Sequence, residues 1–573
     1  MSGRRVLLAG LTPFEHGNCR WVPLAPAALV SYLRAQPDLT STFQASLADF
    51  RGYQSDAEIL ETLERERPWL LGWSTYIWNV KRVLTLARAI KERLPDLLIL
   101  LGGPQVGHPS AARRLLEENP AMDGVICGEG ESALAGTLRH LLTPETVPPP
   151  AGLTLRTQDG SLRMGGMAPL LPTLSRINSP ILNGLLELED PRGHFLSLQT
   201  YRGCPNACSF CGWGPQGVRL FPLETVLEEL TLAFAKARVE GGIFLDADFF
   251  LFPKRAQAIL QLLVDESPEA TWFFEGNMLR IDREAVARLS RLPHALLSIG
   301  LQSSNPEVLR RANRPTDLAL FRRYFQELRR NAPRLSLNLG LVCGLPGESL
   351  ESYLDSLEFA LTLRPSSLSP SLLMLLPGSS YFADPASHGI IAGGPPDYVV
   401  LETESMSHEE LAEAIRLSAF IRACFDFPRL RSLVVVAAPL AEATASSPRP
   451  TVEIYQRIFR RMREHGLAED LHPEAPCRDQ ELLFRMIGWL RQAGHVAALY
   501  RALLEEVALD RHPTWSGEAR AVREFADELA SRFPPEFPLS GVEPWRLPLC
   551  GVWSEPFLPG TLEERKIRKE QGR

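Results

Sequence analysis

Over residues 1–143, short runs of consecutive apolar side chains alternate with stretches whose apolar positions recur every three or four residues. The runs Arg5–Leu11, Ala45–Asp49, Leu70–Thr75, Leu97–Gly102 and Gly124–Cys127 predict strands. The stretches 24–35, 56–66, 80–94, 109–118 and 131–142 predict the helices between them. Strands that are apolar without alternation are covered on both faces, so the pattern predicts a doubly wound, Rossmann-like α/β domain with a parallel sheet. Ligands on such sheets sit beyond the carboxyl ends of the strands. The residues at those ends are Thr12-Pro13, Ser74-Thr75-Tyr76, Gly102-Gly103-Pro104 and Gly128-Glu129-Gly130-Glu131. No G-x-G-x-x-G follows the first strand, which gives a dinucleotide site little support.

Pro144 and Pro148–Pro150 then interrupt the pattern, and residues 144–194 read as a connector. Within it, 153–156 and 161–164 flank Asp159-Gly160, a hairpin signal. Alternation resumes over 195–396. Strands are expected at Phe195–Thr200, Gly242–Asp248, Thr271–Phe274, Leu296–Gly300, Ser336–Val342 and Leu368–Leu376. Helices are expected at 222–237, 253–265, 282–291, 305–331 and 349–363. Residues 397–573 read as mainly helical, at 407–425, 451–465, 478–509 and 516–532. That last region would close over the mouth of the preceding domain and cap a substrate.

With 573 residues the chain exceeds what one core supports, and several domains follow. A net charge of −7 gives no support for a nucleic-acid partner. No apolar run reaches the ~20 residues that cross a bilayer, and the N-terminal apolar run is too short for a secretion signal. Six of the nine cysteines are scattered and suggest no disulfide framework, which fits a reducing cytoplasm.

The other three cysteines carry the chemistry. Cys204, Cys208 and Cys211 lie in Tyr201-Arg202-Gly203-Cys204-Pro205-Asn206-Ala207-Cys208-Ser209-Phe210-Cys211, spaced C-x3-C-x2-C. A short loop rich in Gly and Pro can bring three thiolates together at little closure cost, as an iron–sulfur cluster requires. A zinc knuckle would want a fourth Cys or His nearby, and none is there.

This motif, with Phe210 before the third cysteine, resembles the signature of the radical S-adenosylmethionine (SAM) enzymes. The resemblance implies a partial (β/α)6 barrel over 195–396 and a [4Fe-4S] cluster on Cys204, Cys208 and Cys211. The fourth iron would bind SAM, and an electron donor such as flavodoxin or ferredoxin would reduce the cluster. The first 143 residues resemble the cobalamin-binding domain that precedes the barrel in one class of the family. There Thr12, Ser74, Thr75, Tyr76, Gly102, Gly103, Gly128, Glu129 and Gly130 would meet the corrin. Glu129 and Glu131 read equally well as acidic residues complementing a helix N-terminus. The D-x-H-x-x-G motif of many cobalamin proteins is missing, since His16 lacks its flanking residues. Cobalamin would therefore sit base-off without a His lower ligand, with Tyr76, Ile77 or Trp78 near its lower face.

Further residues follow from the resemblance. Asp246 and Asp248 end the second barrel strand, where the family often carries a stretch that contacts the SAM amino group; Asp248 could equally cap the next helix. Glu275 ends the third strand. In a tryptophan C2-methyltransferase of this architecture, from thiostrepton biosynthesis, a glutamate fills the fourth iron site, and Glu275 is the candidate here. Gln302 and Ser303 match the family's segment after the fourth strand, Asn338 and Gly344–Glu348 its fifth-strand pattern, and Leu375–Ser379 the loop whose backbone meets adenine. The resemblance implies a cobalamin-dependent methyltransferase acting on a carbon or other poor nucleophile of a small molecule or peptide. A non-methylating rearrangement or cyclisation is the competing expectation.

Overall fold

The structure, a computed structural model, describes residues 3–12, 19–21, 23–213, 217–396, 398–426 and 448–464. His16 and the helices expected at 478–509 and 516–532 lie outside the described residues. The chain divides into two compact units, Met1–Glu275 with Met374–Val400 and Gly276–Leu373 with Leu401–Arg573.

The strands up to Arg163 are β1 (Arg4–Thr12), β2 (Arg20–Trp21), β3 (Phe43–Arg51), β4 (Leu70–Ser74), β5 (Leu98–Gly102), β6 (Gly124–Ile126), β7 (Leu153–Arg156) and β8 (Leu162–Arg163). All but β2 form one sheet in the order β3-β1-β4-β5-β6-β7-β8. The members from β3 to β6 are parallel, while β7 and β8 run antiparallel. Both faces are buried, as the unbroken apolar runs require. Leu7, Ala9, Leu71, Trp73, Ile99 and Leu101 pack into one core. Their neighbours Val6, Leu8, Leu70, Leu100 and Ile126 pack into another.

Helix boundaries follow local chemistry. Ser55 and Glu58 make reciprocal caps at the start of Asp56–Glu66. Pro109 occupies the first turn of Pro109–Glu118, where its missing N–H costs nothing. The hairpin expected in the connector forms, but it serves as the antiparallel edge of this sheet.

The first unit continues with β9 (His194–Leu198), β10 (Tyr201–Arg202), β11 (Arg219–Leu220), β12 (Val239–Phe244) and β13 (Thr271–Gly276). Here β2, β9, β12 and β13 lie side by side in parallel, and β10 pairs antiparallel with β11. The second unit holds β14 (Ala295–Gln302), β15 (Ser336–Cys343) and β16 (Ser367–Leu372), also parallel. The six strands β9, β12, β13, β14, β15 and β16, in sequence with their helices, are those of the expected barrel.

Three differences separate the structure from the sequence pattern. The short β2 strand, too brief to show periodicity, pairs with β9. The single helix expected over 305–331 is two, Pro306–Arg311 and Leu318–Asn331. Asn313 takes a left-handed φ of 52°, Pro315 removes a donor, and the Asp317 side chain caps the second helix. The last barrel strand stops at Leu372, short of the expected Leu376.

In the second unit, helix Pro450–Glu464 lies against Leu350–Thr362 and His408–Asp426. The Glu358 carboxylate accepts the Val452 N–H at 2.8 Å, and Phe420 stacks on Phe459 with centroids 5.1 Å apart. Among the described residues no helix is long and apolar enough to cross a membrane.

Gly103 has a φ of +99°, and a Cβ there would stand 2.5 Å from the Thr75 carbonyl oxygen. Gly103→Ala should cost about 1–3 kcal/mol from the backbone conformation alone, with the contact adding to it. A urea unfolding curve with an unchanged midpoint would contradict this.

Candidate functional site

The cysteine loop starts where β9 ends, and its entry is fixed at one residue, Thr200. The Asp246 carboxylate, past the end of β12, accepts from the Thr200 N–H and hydroxyl, each at 2.7 Å, and from the Tyr201 N–H at 3.3 Å. From the other side Arg255 donates to the Thr200 carbonyl at 3.1 Å and to that of Phe221. Asp246 is 1% exposed. Burial pushes its carboxyl up to about 6, against the opposing pull of the Thr200 hydrogen bonds. Asp248 belongs to the same scaffold. Its backbone N–H donates to the Tyr201 hydroxyl at 2.7 Å, and its carboxylate caps the turn Phe249–Leu251 through the Phe250 N–H.

Strands β10 and β11 bracket the loop, with Arg202 directly opposite Arg219. Cys204 and Cys208 are buried and Cys211 half-buried, all three without a disulfide. Phe210 is half-buried beside Cys211. The segment after β16 clasps the loop. Tyr381 N–H donates to the Ser209 carbonyl at 3.0 Å, and a Cβ on Gly212 would lie 3.4 Å from Leu376 and Pro377. Leu375, the residue expected near adenine, is 4% exposed and donates its N–H to Tyr398 at 3.0 Å.

Two arginines beside the cysteines reach back to the first sheet. Arg219 makes a bidentate pair with Glu129, both contacts 2.8 Å, and also donates to the Leu171 carbonyl at 2.8 Å. Arg202 donates to Glu131 at 2.7 Å and to Glu129 at 3.3 Å. Glu129 further accepts the Leu171 N–H at 2.8 Å. All four charged side chains are at most 17% exposed. Burial acts to raise the Glu129 carboxyl, yet the Arg219 hydrogen bond and the Leu171 N–H outweigh it and hold the group below its ordinary value. The Glu129 side chain, expected on a corrin, is thus engaged with the cysteine hairpin, and its backbone lies between Gly128 and Gly130.

The remaining expected corrin residues line the carboxyl edge of the first sheet. Asn79 organises it by donating to the Leu11 and Ser74 carbonyls at 3.2 and 3.1 Å and accepting the Tyr76 N–H at 2.8 Å. Thr75 is fully buried, and both its N–H and hydroxyl bond the Gly102 carbonyl at 2.7 Å. Thr12 is 9% exposed and its carbonyl accepts from Gly52 N–H. Tyr76 stacks on Trp78, ring centroids 4.5 Å apart and 10° from parallel. Nothing lies within 4 Å of where a Gly102 Cβ would be, and Gly128 takes a φ of +95°. Glu275 is exposed at the end of β13.

In the second unit a polar row crosses the three strands. Asn338 donates to Ser298 at 3.3 Å and accepts from Ser367 and Ser369 at 2.9 and 3.0 Å. Gln302 has a φ of +73°, and Gly300, beneath it, leaves room for its amide. Ser303 donates to Glu348 at 2.7 Å, and Ser356 adds a contact at 3.3 Å. Among the described residues, the other oxygen of this fully buried carboxyl meets no donor. Burial pushes Glu348 up to about 8, and the two serines only partly oppose it.

Sequence reasoning did not single out Thr200, Arg219, Arg255, Asn79, Ser298, Ser356, Ser367 or Ser369. Asn79 alone left a trace, as an amide three residues beyond the Ser74-Thr75-Tyr76 strand end. The others depend on partners far away in the chain.

The comparisons agree with this layout. The Radical SAM superfamily matches residues 198–360 and the B12 binding domain matches residues 30–138. The chain therefore carries a radical SAM domain and a B12-binding domain in one polypeptide. The 2-(S-pantetheinyl)-carbapenam-3-carboxylate methyltransferase of Streptantibioticus cattleyicolor is 29% identical over 378 residues, 62% of this chain and 53% of that one. The cobalamin-dependent radical SAM methyltransferase TokK of Streptomyces tokunonensis is 28% identical over 377 residues, with the same coverage. The chain thus spans about half the length of the curated relatives it matches. Among solved structures, the methyltransferase TsrM from Kitasatospora setae, with cobalamin and a [4Fe-4S] cluster bound, aligns with 81% of this chain and 100% of its own. Its TM-score is 0.55 and its identity 17%. OxsB, with cobalamin and SAM bound, aligns with 92% of this chain and 81% of its own, at a TM-score of 0.59 and 14% identity. These likenesses establish the fold.

The radical SAM domain implies SAM and a [4Fe-4S] cluster, and the B12 domain implies cobalamin. The residues fit both. Three cysteines outside any disulfide, on a loop pinned at its entry, are the donor set of a four-iron cluster with one open corner. The open space at Gly102 lets the backbone there approach a large ligand closely.

Two predictions follow from this geometry. Gly102→Ala should leave the urea midpoint within experimental error while weakening cobalamin binding severalfold in an absorbance titration. For Glu348, the folded carboxyl titrates near 8 against 4.5 for a free one. The folded chain therefore keeps a proton that the unfolded chain releases, so this stabilising contribution is complete below pH 4.5 and is lost as pH rises to 8. Glu348→Gln should flatten that decline between pH 5 and 8.5 in urea unfolding, and an unaltered slope would contradict it.

Proposed function

We propose that this chain is a cobalamin-dependent radical SAM methyltransferase acting on a carbon or other poor nucleophile of a small molecule or peptide. The observation that carries the reading is the joining, in one polypeptide, of an anchored three-cysteine loop to a B12-binding sheet. The names of the two relatives 28–29% identical support methyl transfer. Flavodoxin or ferredoxin as electron donor and a cytoplasmic setting complete the proposal. It divides the chain into a cobalamin domain at 1–143, a connector at 144–194, a radical SAM barrel at 195–396 and a helical cap at 397–573.

When bound, the cluster supplies the electron that cleaves SAM and cobalamin supplies the methyl-carrying metal. The chain's own residues hold and aim. Cys204, Cys208 and Cys211 would hold the cluster, with Phe210 next to Cys211 in the same loop. Thr200, Asp246 and Arg255 keep the entry of the loop in register with β9 and β12. In this reading Gln302, Ser303, Asn338, Leu375 and Asp248 orient SAM, and Glu275 meets the reacting centre. Thr12, Ser74, Thr75, Tyr76, Gly102, Gly103, Gly128, Glu129 and Gly130 form the cobalamin shelf.

Replacing Cys204, Cys208 and Cys211 together with Ala should abolish the cluster's visible absorbance and SAM cleavage while cobalamin still binds. SAM labelled with deuterium in its methyl group tests the reaction class. Transfer of the label to product is expected, whereas SAM consumption with an unlabelled, rearranged or cyclised product would replace the methyltransferase reading.

A further inference from the structure

The four buried charges that join the first sheet to the cysteine hairpin do more than tether it. Glu129 is the middle residue of Gly128-Glu129-Gly130, at the carboxyl end of β6 on the B12-binding sheet. Its carboxylate is fully committed: both oxygens to Arg219, one also to Arg202 and the other to the Leu171 N–H. Arg202 and Arg219 face each other across the two strands that enclose all three cysteines. Glu131, 3% exposed, holds the other end of Arg202. The Arg219 fork is planar and bidentate, so it transmits orientation as well as charge. The Gly128–Gly130 segment of the B12-binding sheet is thus tied through buried ion pairs to the hairpin that carries the metal-binding loop.

Each arrangement depends on the other. If the hairpin loosens around an absent or departing cluster, Glu129 loses partners that compensate its burial, and the 128–130 backbone loses its fixed geometry. If that backbone is held by a corrinoid, the arginine pair is held too, and the cysteine loop opens less readily. We propose that Glu129, Glu131, Arg202 and Arg219 are positioning residues that couple the two cofactor sites, so that cobalamin bound on the sheet slows loss of the cluster, and an assembled cluster tightens cobalamin. Equilibrium coupling between two sites is necessarily reciprocal. The inference rests on the assignment of both cofactors and not on methyl transfer.

The test uses the anaerobically prepared, cluster-loaded full chain. Release of its iron to a ferrous chelator is followed with and without saturating hydroxocobalamin, whose binding is monitored separately by absorbance. In the unaltered chain cobalamin should slow release about fivefold or more, the lower end of typical coupling. In Glu131→Gln, which keeps the shape but removes the charge that holds Arg202, and in Arg219→Lys, which keeps the charge but removes the fork, the slowing should fall below twofold while hydroxocobalamin still binds. Because each ratio is taken within one protein, a general loss of stability does not mimic the result. Unchanged release in the unaltered chain, or slowing that persists in both variants, would overturn the coupling. If the unaltered chain failed to bind hydroxocobalamin at all, the cobalamin assignment would fall instead.

Discussion

One peptide, at Thr200, carries the constraint on which the rest depends. Its N–H and side chain are taken by Asp246 and its carbonyl by Arg255, so the strand β9 cannot slide or rotate as it hands the chain to the cysteines. A loop with only Gly and Pro to shape it would sample many thiol arrangements and lose much entropy on binding metal. Here the buried carboxylate and guanidinium restrict that freedom in advance. The Leu376–Tyr381 segment and the arginines of the hairpin extend the restriction to the loop's far side.

Much of this architecture was written in local pattern. The first sheet showed itself because both its faces are buried, which forces unbroken apolar runs such as Val6-Leu7-Leu8-Ala9. The cysteine loop showed itself because cluster chemistry demands thiols at short spacing. Helix breaks were partly visible. Pro315 and Asn313 stood in the sequence, yet the strong periodicity of Leu318–Asn331 masked them.

The polar skeleton of the site was not visible, and the reason is distance along the chain. Arg219 and Glu129 are 90 residues apart, and Asp246 lies 46 residues from Thr200. Nothing in a local window distinguishes Asp246, which holds the loop's entry, from Asp248 two residues later, which caps a turn. Glu129 shows the same limit. Its place in a glycine-rich loop suggested a ligand contact, while the fold turns its carboxylate toward two arginines of the cysteine hairpin.

The β7–β8 hairpin bears on where the chain can be divided. The proline-rich stretch near 148–150 looks like a natural seam, but a fragment ending there would strip β6 of its antiparallel neighbour and bare the rim at Gly124–Ile126. Beyond the hairpin, the Ala168 N–H bonds the Cys127 carbonyl at 2.9 Å, stitching the downstream chain to the end of β6. An autonomous N-terminal piece therefore has to run past residue 168, and a shorter one would present a sticky border prone to self-association.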